Sequence, residues 1–258
     1  VTETILAADV GNTRAKFALL KRTSDSTLPA PMRTVVWSYE SAFSPTLLQD
    51  LTFDRFVIAG SHYGHIDEIV QAWPAELPQP RVIRSARELP IELQVDAPDL
   101  VGVDRVLNAL AARCEQPGVP AIVIDSGTAT TIDVVSDAGV FLGGAILPGY
   151  ELSAHALHDY TNKLPLIPLK DILGDTPEVI GKNTYAALRS GLIWGHVGAV
   201  NEIVQRITNE LQHDSAKEPA IYLTGGAAPL LKDHLGKTLR ERPQLTLQGL
   251  AHIANPLP

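Results

Sequence analysis

With a single cysteine in 258 residues, Cys114, the chain has no internal disulfide framework and no CxxC metal or redox pair. Cys114 reads as a helical packing residue, and its isolation suits a reducing compartment. Basic residues are outnumbered, with Lys+Arg 21 against Asp+Glu 29 and a formal net charge of −8. No Lys/Arg run occurs and aromatics make up only 5%, so neither nucleic acid nor an anionic membrane has electrostatic support as a partner. No apolar run approaches the ~20 residues a membrane helix needs. The N-terminal apolar run is cut by Asp9 and lacks a basic flank and a small-residue cleavage site. These absences predict a cytoplasmic protein acting on small molecules. Numbering begins at Val1, so an initiator methionine is expected to have been removed or renumbered away.

What is present is a repeat. Leu6-Ala7-Ala8-Asp9-Val10-Gly11-Asn12-Thr13-Arg14-Ala15-Lys16 returns in altered form as Val123-Ile124-Asp125-Ser126-Gly127-Thr128-Ala129-Thr130-Thr131-Ile132-Asp133. In each copy an apolar β run ends in aspartate, a glycine turn and a threonine follow, and a second β run resumes. Such a hairpin carries a polar tip out of a sheet. A carboxylate at a strand end suits a metal, and glycine lets backbone N–H groups and a threonine hydroxyl approach phosphate oxygens. Either tip alone equally fits an Asp-Gly or Asn-Thr turn with no ligand. Two copies argue for two half-molecules gripping a nucleotide. Composition that is 45% hydrophobic allows one large domain or two ordinary ones, and the repeat favours two, 1–118 and 119–258.

The first half reads as strands at Ile5 to Val10, Ala15 to Leu20 and Arg33 to Ser38, the last after a Ser/Thr/Pro-rich loop from Thr23 to Pro31. A helix near Pro45 to Leu51, a strand Arg55 to Ala59, a helix near Ile66 to Trp73 and a strand Arg81 to Ile83 follow, a βα alternation that calls for parallel pairing. Val106, Leu107, Leu110 and Ala111 recur at helical spacing between Gly102 and Arg113. The second half repeats the order, with strands at Ala121 to Ile124, Thr130 to Val135 and Val140 to Leu147 and a helix after Pro148-Gly149. A long irregular loop is predicted over Asn162 to Gly181 and a long helix over Asn183 to Leu211. Gly191, Gly195 and Gly198 share a face of that helix, which predicts tight packing against a partner helix or subunit. The strand Ala220 to Leu223, the turn Thr224-Gly225-Gly226, a helix around Ala227 to Leu235, a strand Leu245 to Leu247 and a short terminal helix complete the chain.

Several pieces occur in a characteristic order: DVGNTRAK at 9 to 16, GVDR at 102 to 105, DSGTATTIDVV at 125 to 135, GGAILPG at 143 to 149, NTYAALRSG at 183 to 191 and LTGG at 223 to 226. The order resembles the actin, sugar-kinase and Hsp70 ATPase superfamily, and the exact words resemble one branch of it, the type III pantothenate kinases. The resemblance runs the length of the chain. It implies an α/β fold of two ribonuclease-H-like domains, each a mixed sheet flanked by helices, with an interdomain cleft. It also implies a homodimer that phosphorylates pantothenate with ATP, the first step towards coenzyme A, and that needs Mg²⁺ and a monovalent cation, K⁺ or NH₄⁺.

Carried over position by position, the resemblance assigns Asp9, Val10, Gly11, Asn12, Thr13, Arg14, Ala15 and Lys16 to the ATP phosphates, with Thr128, Gly225 and Gly226 as further ATP contacts. It places Gly102, Val103, Asp104, Arg105 and Thr184 against pantothenate, with Asp104 as the general base, Asp125 as the monovalent-cation ligand and Asp9 near Mg²⁺. Physical chemistry makes these roles sensible. In the first turn of a helix Asp104 is a well-oriented acceptor, and the loose transition state of phosphoryl transfer needs alignment and charge neutralisation more than strong proton abstraction. Without the resemblance, the first reading of Asp104 is a first-turn acid that stabilises its helix and pairs with Arg105. Bare carboxylates at Asp9 and Asp125 would repel a triphosphate, so cations are required between them.

Other chemistry-bearing residues read more simply. Asp133 fits a capped strand end, Trp194 a core or interface position, and His62, His65, His155 and His158 surface positions without a third metal ligand. No GxGxxG follows the first strand and no Walker A motif occurs, which excludes a dinucleotide-binding fold and a P-loop. The chain departs from the family twice: Val95 stands where a substrate-contacting tyrosine is common, and Ser126 where an aromatic is common. Val95 keeps open a kinase of the same fold for another small hydroxylated substrate. A non-catalytic nucleotide-binding accessory or regulatory protein is the alternative from a different class, and Asp104 argues against it because binding alone has no use for a hydroxyl-aligning carboxylate.

Overall fold

The computed structural model describes residues 2–24, 27–235 and 238–254. By its contacts the chain divides into two compact units: Val1–Gly118, Ala138–Leu142 and Gln244–Pro258 in the first, Val119–Asp137 and Gly143–Pro243 in the second. The break after Gly118 coincides with the boundary expected from the repeat. The expected division at 119 differs in placing 138–142 and the C-terminal segment with the second half.

In the first unit, β1 (Glu3–Val10), β2 (Ala15–Arg22), β3 (Ala30–Trp37), β4 (Arg55–Gly60) and β5 (Pro80–Val82) form a five-stranded sheet in the order β3-β2-β1-β4-β5. β2 is antiparallel to β1 and β3, while β4 is parallel to β1 and β5. The register sets Asp9 opposite Lys16 and Val10 opposite Ala15, leaving residues 11–14 as the hairpin tip. Apolar residues on one sheet face, including Leu6, Ala8, Phe17 and Ile58, pack with Ile66 and Ile69 of helix α1 (Tyr63–Ala72). Helix α2 (Val103–Glu115) buries Val106, Leu107, Leu110 and Ala111, the positions expected from its spacing. It ends two residues beyond Arg113.

The second unit repeats the plan. Its strands β6 (Ala121–Ser126), β7 (Ala129–Val135), β8 (Phe141–Pro148), β9 (Ala220–Thr224) and β10 (Leu239–Glu241) take the order β10-β9-β6-β7-β8, the reverse reading of the first sheet. β6 is antiparallel to β7 and parallel to β9. Ser126 stands opposite Thr130, so Gly127, Thr128 and Ala129 form the second tip. Helix α3 (Tyr150–Asp159) follows Gly149, and the 31-residue helix α5 (Thr184–Asp214) starts at an Asn183 cap whose Oδ1 accepts the Ala186 N–H at 2.9 Å.

Six local readings change. Pro45–Leu48 forms only a 3₁₀ turn, and β3 begins at Ala30, inside the stretch expected as loop; Asp25 and Ser26 of that loop lie outside the described residues. The segment Asn162 to Gly181 contains a short helix, α4 (Leu169–Ile172). Leu245 to Leu247, expected as a strand, opens helix α7 (Leu245–His252). The Leu-Thr-Leu alternation mimics a strand, but Leu245, Leu247, Leu250 and Ala251 are all buried, and Thr246 bonds to Asn108 of α2 at 2.8 Å. Tertiary packing on α2 decides the conformation. The helix expected around Ala227 to Leu235 is the shorter α6 (Ala228–Lys232), and after it the strand β10 (Leu239–Glu241) forms where none was expected.

Candidate active site

The first-unit tip is a tight turn. Gly11 N donates to Arg14 O at 3.1 Å, and Asn12, Thr13 and Arg14 are exposed beyond it. Ala15 is buried at the start of β2, while Asp9 and Lys16 are half-buried and cross-paired on the rim. Hydroxyl, amide and guanidinium groups at one solvent-facing turn, joined by Lys16, are a donor set that fits phosphate oxygens. Val10 O accepts the His62 N–H at 3.2 Å, which ties the tip to the loop leading into α1.

In the same unit Asp104 is the second residue of α2. Its Oδ1 accepts the Arg105 N–H at 2.9 Å, so the first turn of the helix orients the carboxylate. Gly102 is the N-cap, and a Cβ there would press on Asp104 Oδ1. Glycine at 102 therefore gives the carboxylate its room. The Arg105 guanidinium lies over the Phe141 ring, 5.8 Å from its centroid. Val103 is buried. Phe141 also exchanges backbone bonds with the strap before GVDR, Gln94 N to Phe141 O and Phe141 N to Glu92 O, each at 2.9 Å. The next residue in that strap is Val95, so one anchor positions both the Arg105 side chain and the position that departs from the family.

Three loops meet in the second unit. Gly127 N donates to Ala129 O at 3.0 Å, and Gly149 N donates to Thr128 O at 3.1 Å. A Cβ on Gly149 would collide with the Gly127 and Thr128 carbonyl oxygens. Gly225 has φ +96° and its Cβ would collide with the Ser126 backbone, while Ala227 N donates to Ser126 O at 2.9 Å. The Asp125 hairpin, the Pro148-Gly149 turn and the Thr224-Gly225-Gly226 turn are thus one assembly, with Thr128 and Gly226 exposed and Asp125 half-buried. The buried side of this assembly is polar. Thr130 Oγ1 lies 3.1 Å from His196 Nε2, and the Tyr150 ring rests on His196 at 4.3 Å. Burial lowers the His196 pKa and raises that of the Tyr150 phenol. The sequence gives no periodic signal for His196 or Tyr150, so their place behind the hairpin was not foreseen.

Thr184 is exposed at the first position of α5. Asp133, expected as a capped strand end, is fully buried and accepts the Thr131 hydroxyl at 3.0 Å. Cys114 is partly buried, its Sγ 3.5 Å from His252 Nε2. Trp194 is half-buried and donates to Pro177 O at 3.1 Å. Among the described residues no group of three or more His, Cys, Asp or Glu could hold a metal. A cation at Asp9 or Asp125 would therefore need carbonyl, water or substrate oxygens to complete its shell, the donor set of a hard ion. No described helix is long and apolar enough to cross a membrane.

Known proteins resemble the chain at two levels. Among solved structures, component A of the Acidaminococcus fermentans (R)-2-hydroxyglutaryl-CoA dehydratase aligns with a TM-score of 0.52 at 13% identity, covering 98% of this chain and 97% of that one. The ethanolamine utilization protein EutJ of Carboxydothermus hydrogenoformans aligns with a TM-score of 0.51 at 13% identity, covering 97% and 88%. At such identity the likeness concerns the fold alone, which is that of the actin-like ATPases. In sequence, a type III pantothenate kinase of Gluconobacter oxydans is 44% identical over 178 residues, 68% of this chain and 62% of that protein. The Acidiphilium cryptum enzyme of the same name is 41% identical over 182 residues, 70% of this chain. The chain thus spans 62% and 65% of the length of these two relatives. A third, from Sphingopyxis alaskensis, is 32% identical over 270 residues and covers 97% of both chains. Residues 5–206 match the type III pantothenate kinase family pattern, and the chain belongs to that family.

Proposed function

We propose that the chain transfers the γ-phosphoryl group of ATP to the primary hydroxyl of pantothenate, giving 4′-phosphopantothenate and ADP, the first step towards coenzyme A. One observation carries the reading: Asp104 is held at the start of α2 by the Arg105 N–H, with Gly102 clearing its space. A carboxylate so placed lines up a hydroxyl oxygen and accepts its proton as that oxygen bonds to the γ-phosphorus and the bridging oxygen leaves with ADP. Transfer through a loose transition state relies on this alignment more than on basicity.

The exposed tip at Asn12, Thr13 and Arg14, with Lys16, takes the phosphates; Thr128, Gly225 and Gly226 take the rest of the nucleotide. Gly102, Val103, Arg105 and Thr184 receive pantothenate. Mg²⁺ beside Asp9 and a monovalent cation, K⁺ or NH₄⁺, beside Asp125 supply charge neutralisation when bound. In this reading the reaction is cytoplasmic.

The chain acts as a homodimer in this reading. Gly191, Gly195 and Gly198 are exposed on α5, and a Cβ at any of them would meet nothing within 4 Å among the described residues. Among the described residues nothing supplies the close packing expected of this face, and in this reading a second copy supplies it. A direct assay of phosphopantothenate formation tests the function, run beside a panel of sugars and hydroxy acids. Product from pantothenate alone supports it. Transfer only to another acceptor, which Val95 would favour, or nucleotide binding without transfer, would replace it.

A further inference from the structure

Tyr39 is the one described residue other than glycine with positive φ, at 67°. The left-handed region is sterically costly for an aromatic side chain, and such outliers persist where surrounding contacts over-determine them. Trp37 meets the Tyr39 ring edge-on at 4.8 Å, and two closer contacts fix the side chain. Its hydroxyl donates to Gly11 O at 2.6 Å, and its ring stacks on His65 with centroids 3.8 Å apart and planes 19° from parallel.

His65 is itself fixed. Its Nδ1 lies 2.9 Å from Glu68 Oε2, Glu68 accepts the Phe43 N–H at 2.8 Å, and the Trp37 ring meets the imidazole edge-on at 5.1 Å. His62 stacks on His65 at 4.2 Å and its Nδ1 accepts the His65 N–H at 3.2 Å. Burial, with the charges of Asp9 and Glu68, pushes the Tyr39 phenol well above its usual range, so the hydroxyl remains a donor.

The two bonds from this cluster fall on consecutive carbonyls, Val10 O from His62 N and Gly11 O from the Tyr39 hydroxyl. A peptide unit is planar and trans, so its N–H points opposite to its C=O. Fixing Val10 O directs Gly11 N–H, which closes the turn on Arg14 O. Fixing Gly11 O directs Asn12 N–H the other way, towards the exposed tip. We propose that Tyr39 is a positioning residue for nucleotide binding: by holding the Gly11 carbonyl it aims the Asn12 N–H at a phosphate oxygen of ATP, with the His62–His65 stack as its buttress. The inference rests on the reading that the first tip binds the phosphates.

The test is Tyr39→Phe in the full chain, which keeps the ring and removes the donor. ATP binding is measured by calorimetry without pantothenate, then by steady-state kinetics, with Thr13→Ala and Lys16→Ala in parallel. Tyr39→Phe is expected to weaken ATP binding and raise KM for ATP about tenfold, the effect of one misdirected hydrogen bond to a charged group. KM for pantothenate and the thermal midpoint stay near the unsubstituted values. A purely structural tyrosine would instead lower the midpoint and leave ATP affinity alone, which overturns the proposal. Tyr39→Asn, whose side chain tolerates the left-handed backbone, guards against misfolding and must weaken ATP binding too. If the tip variants lose affinity and both Tyr39 variants keep it, only the Tyr39 role fails. If the tip variants also bind ATP normally, the phosphate assignment itself fails.

Discussion

The Ala227 N–H donates to the Ser126 carbonyl at 2.9 Å, and this bond brings the Thr224-Gly225-Gly226 turn onto the backbone of the second hairpin. Gly225 sits at φ +96° directly against Ser126. Gly225→Ala should therefore cost about 2–4 kcal/mol, from left-handed strain and overpacking together. Thermal unfolding reads this as a lowered midpoint, and ATP affinity should fall with it. An unchanged midpoint would mean that the two loops separate freely.

Asp125 stands at the base of that hairpin, opposite Thr131. On the proposal that K⁺ binds beside it, Asp125→Ala should abolish stimulation by K⁺ while leaving the fold intact. Turnover measured across a K⁺ series at constant ionic strength checks this, and an unaltered K⁺ dependence would remove Asp125 from the cation site.

Buried imidazoles make stability depend on pH. Burial holds His196 and His252 below the ordinary imidazole value, with Arg22 and Arg113 adding to the effect at His252. From the unfolded value of about 6.5 downwards, the unfolded chain binds more protons than the folded one, so stability falls as pH drops through that window. At lower pH, Asp54 adds a second loss. The Thr4 N–H and hydroxyl hold its carboxyl below the usual range, so its contribution is present above the unfolded pKa and disappears as pH falls through the depressed folded value. Thermal midpoints between pH 7.5 and 5.5 should decline, and less steeply in the His196→Gln/His252→Gln double variant. Equal slopes would contradict this account.

Among the described residues nothing lies within 4 Å of a Cβ added at Gly195 on α5, so Gly195→Leu should leave the thermal midpoint of the chain's own fold unchanged or slightly raised, because leucine gains about 0.5–1 kcal/mol of helix propensity over glycine. In a dimer packed on that face it should instead halve the mass seen by light scattering. Retention of the dimer mass would place the interface elsewhere.

Much of the local structure at the candidate site was legible because it is written in short contiguous segments. An apolar run, an aspartate and a glycine turn specify each hairpin wherever the rest of the chain goes, and GVDR carries its own cap and acid. The duplicated strand order followed from the same repeat. What escaped depends on distant residues. Nothing local marks Tyr39 as left-handed, since its conformation is held by Gly11 and His65. His62 and His65 read as surface positions because sequence spacing does not reveal a stack with a tyrosine more than twenty residues earlier. Leu245 to Leu247 read as a strand because the apolar surface of α2 that makes it helical lies more than a hundred residues away.

Asp104→Asn tests the central claim most directly, with phosphopantothenate formation and ATP binding measured on the same preparation. The asparagine keeps the shape and the bond from Arg105 N–H but cannot take a proton. Turnover should fall by about 10²–10⁴-fold with ATP affinity and thermal midpoint preserved. Turnover within a few-fold of the unsubstituted chain would contradict the assignment of the acceptor carboxylate.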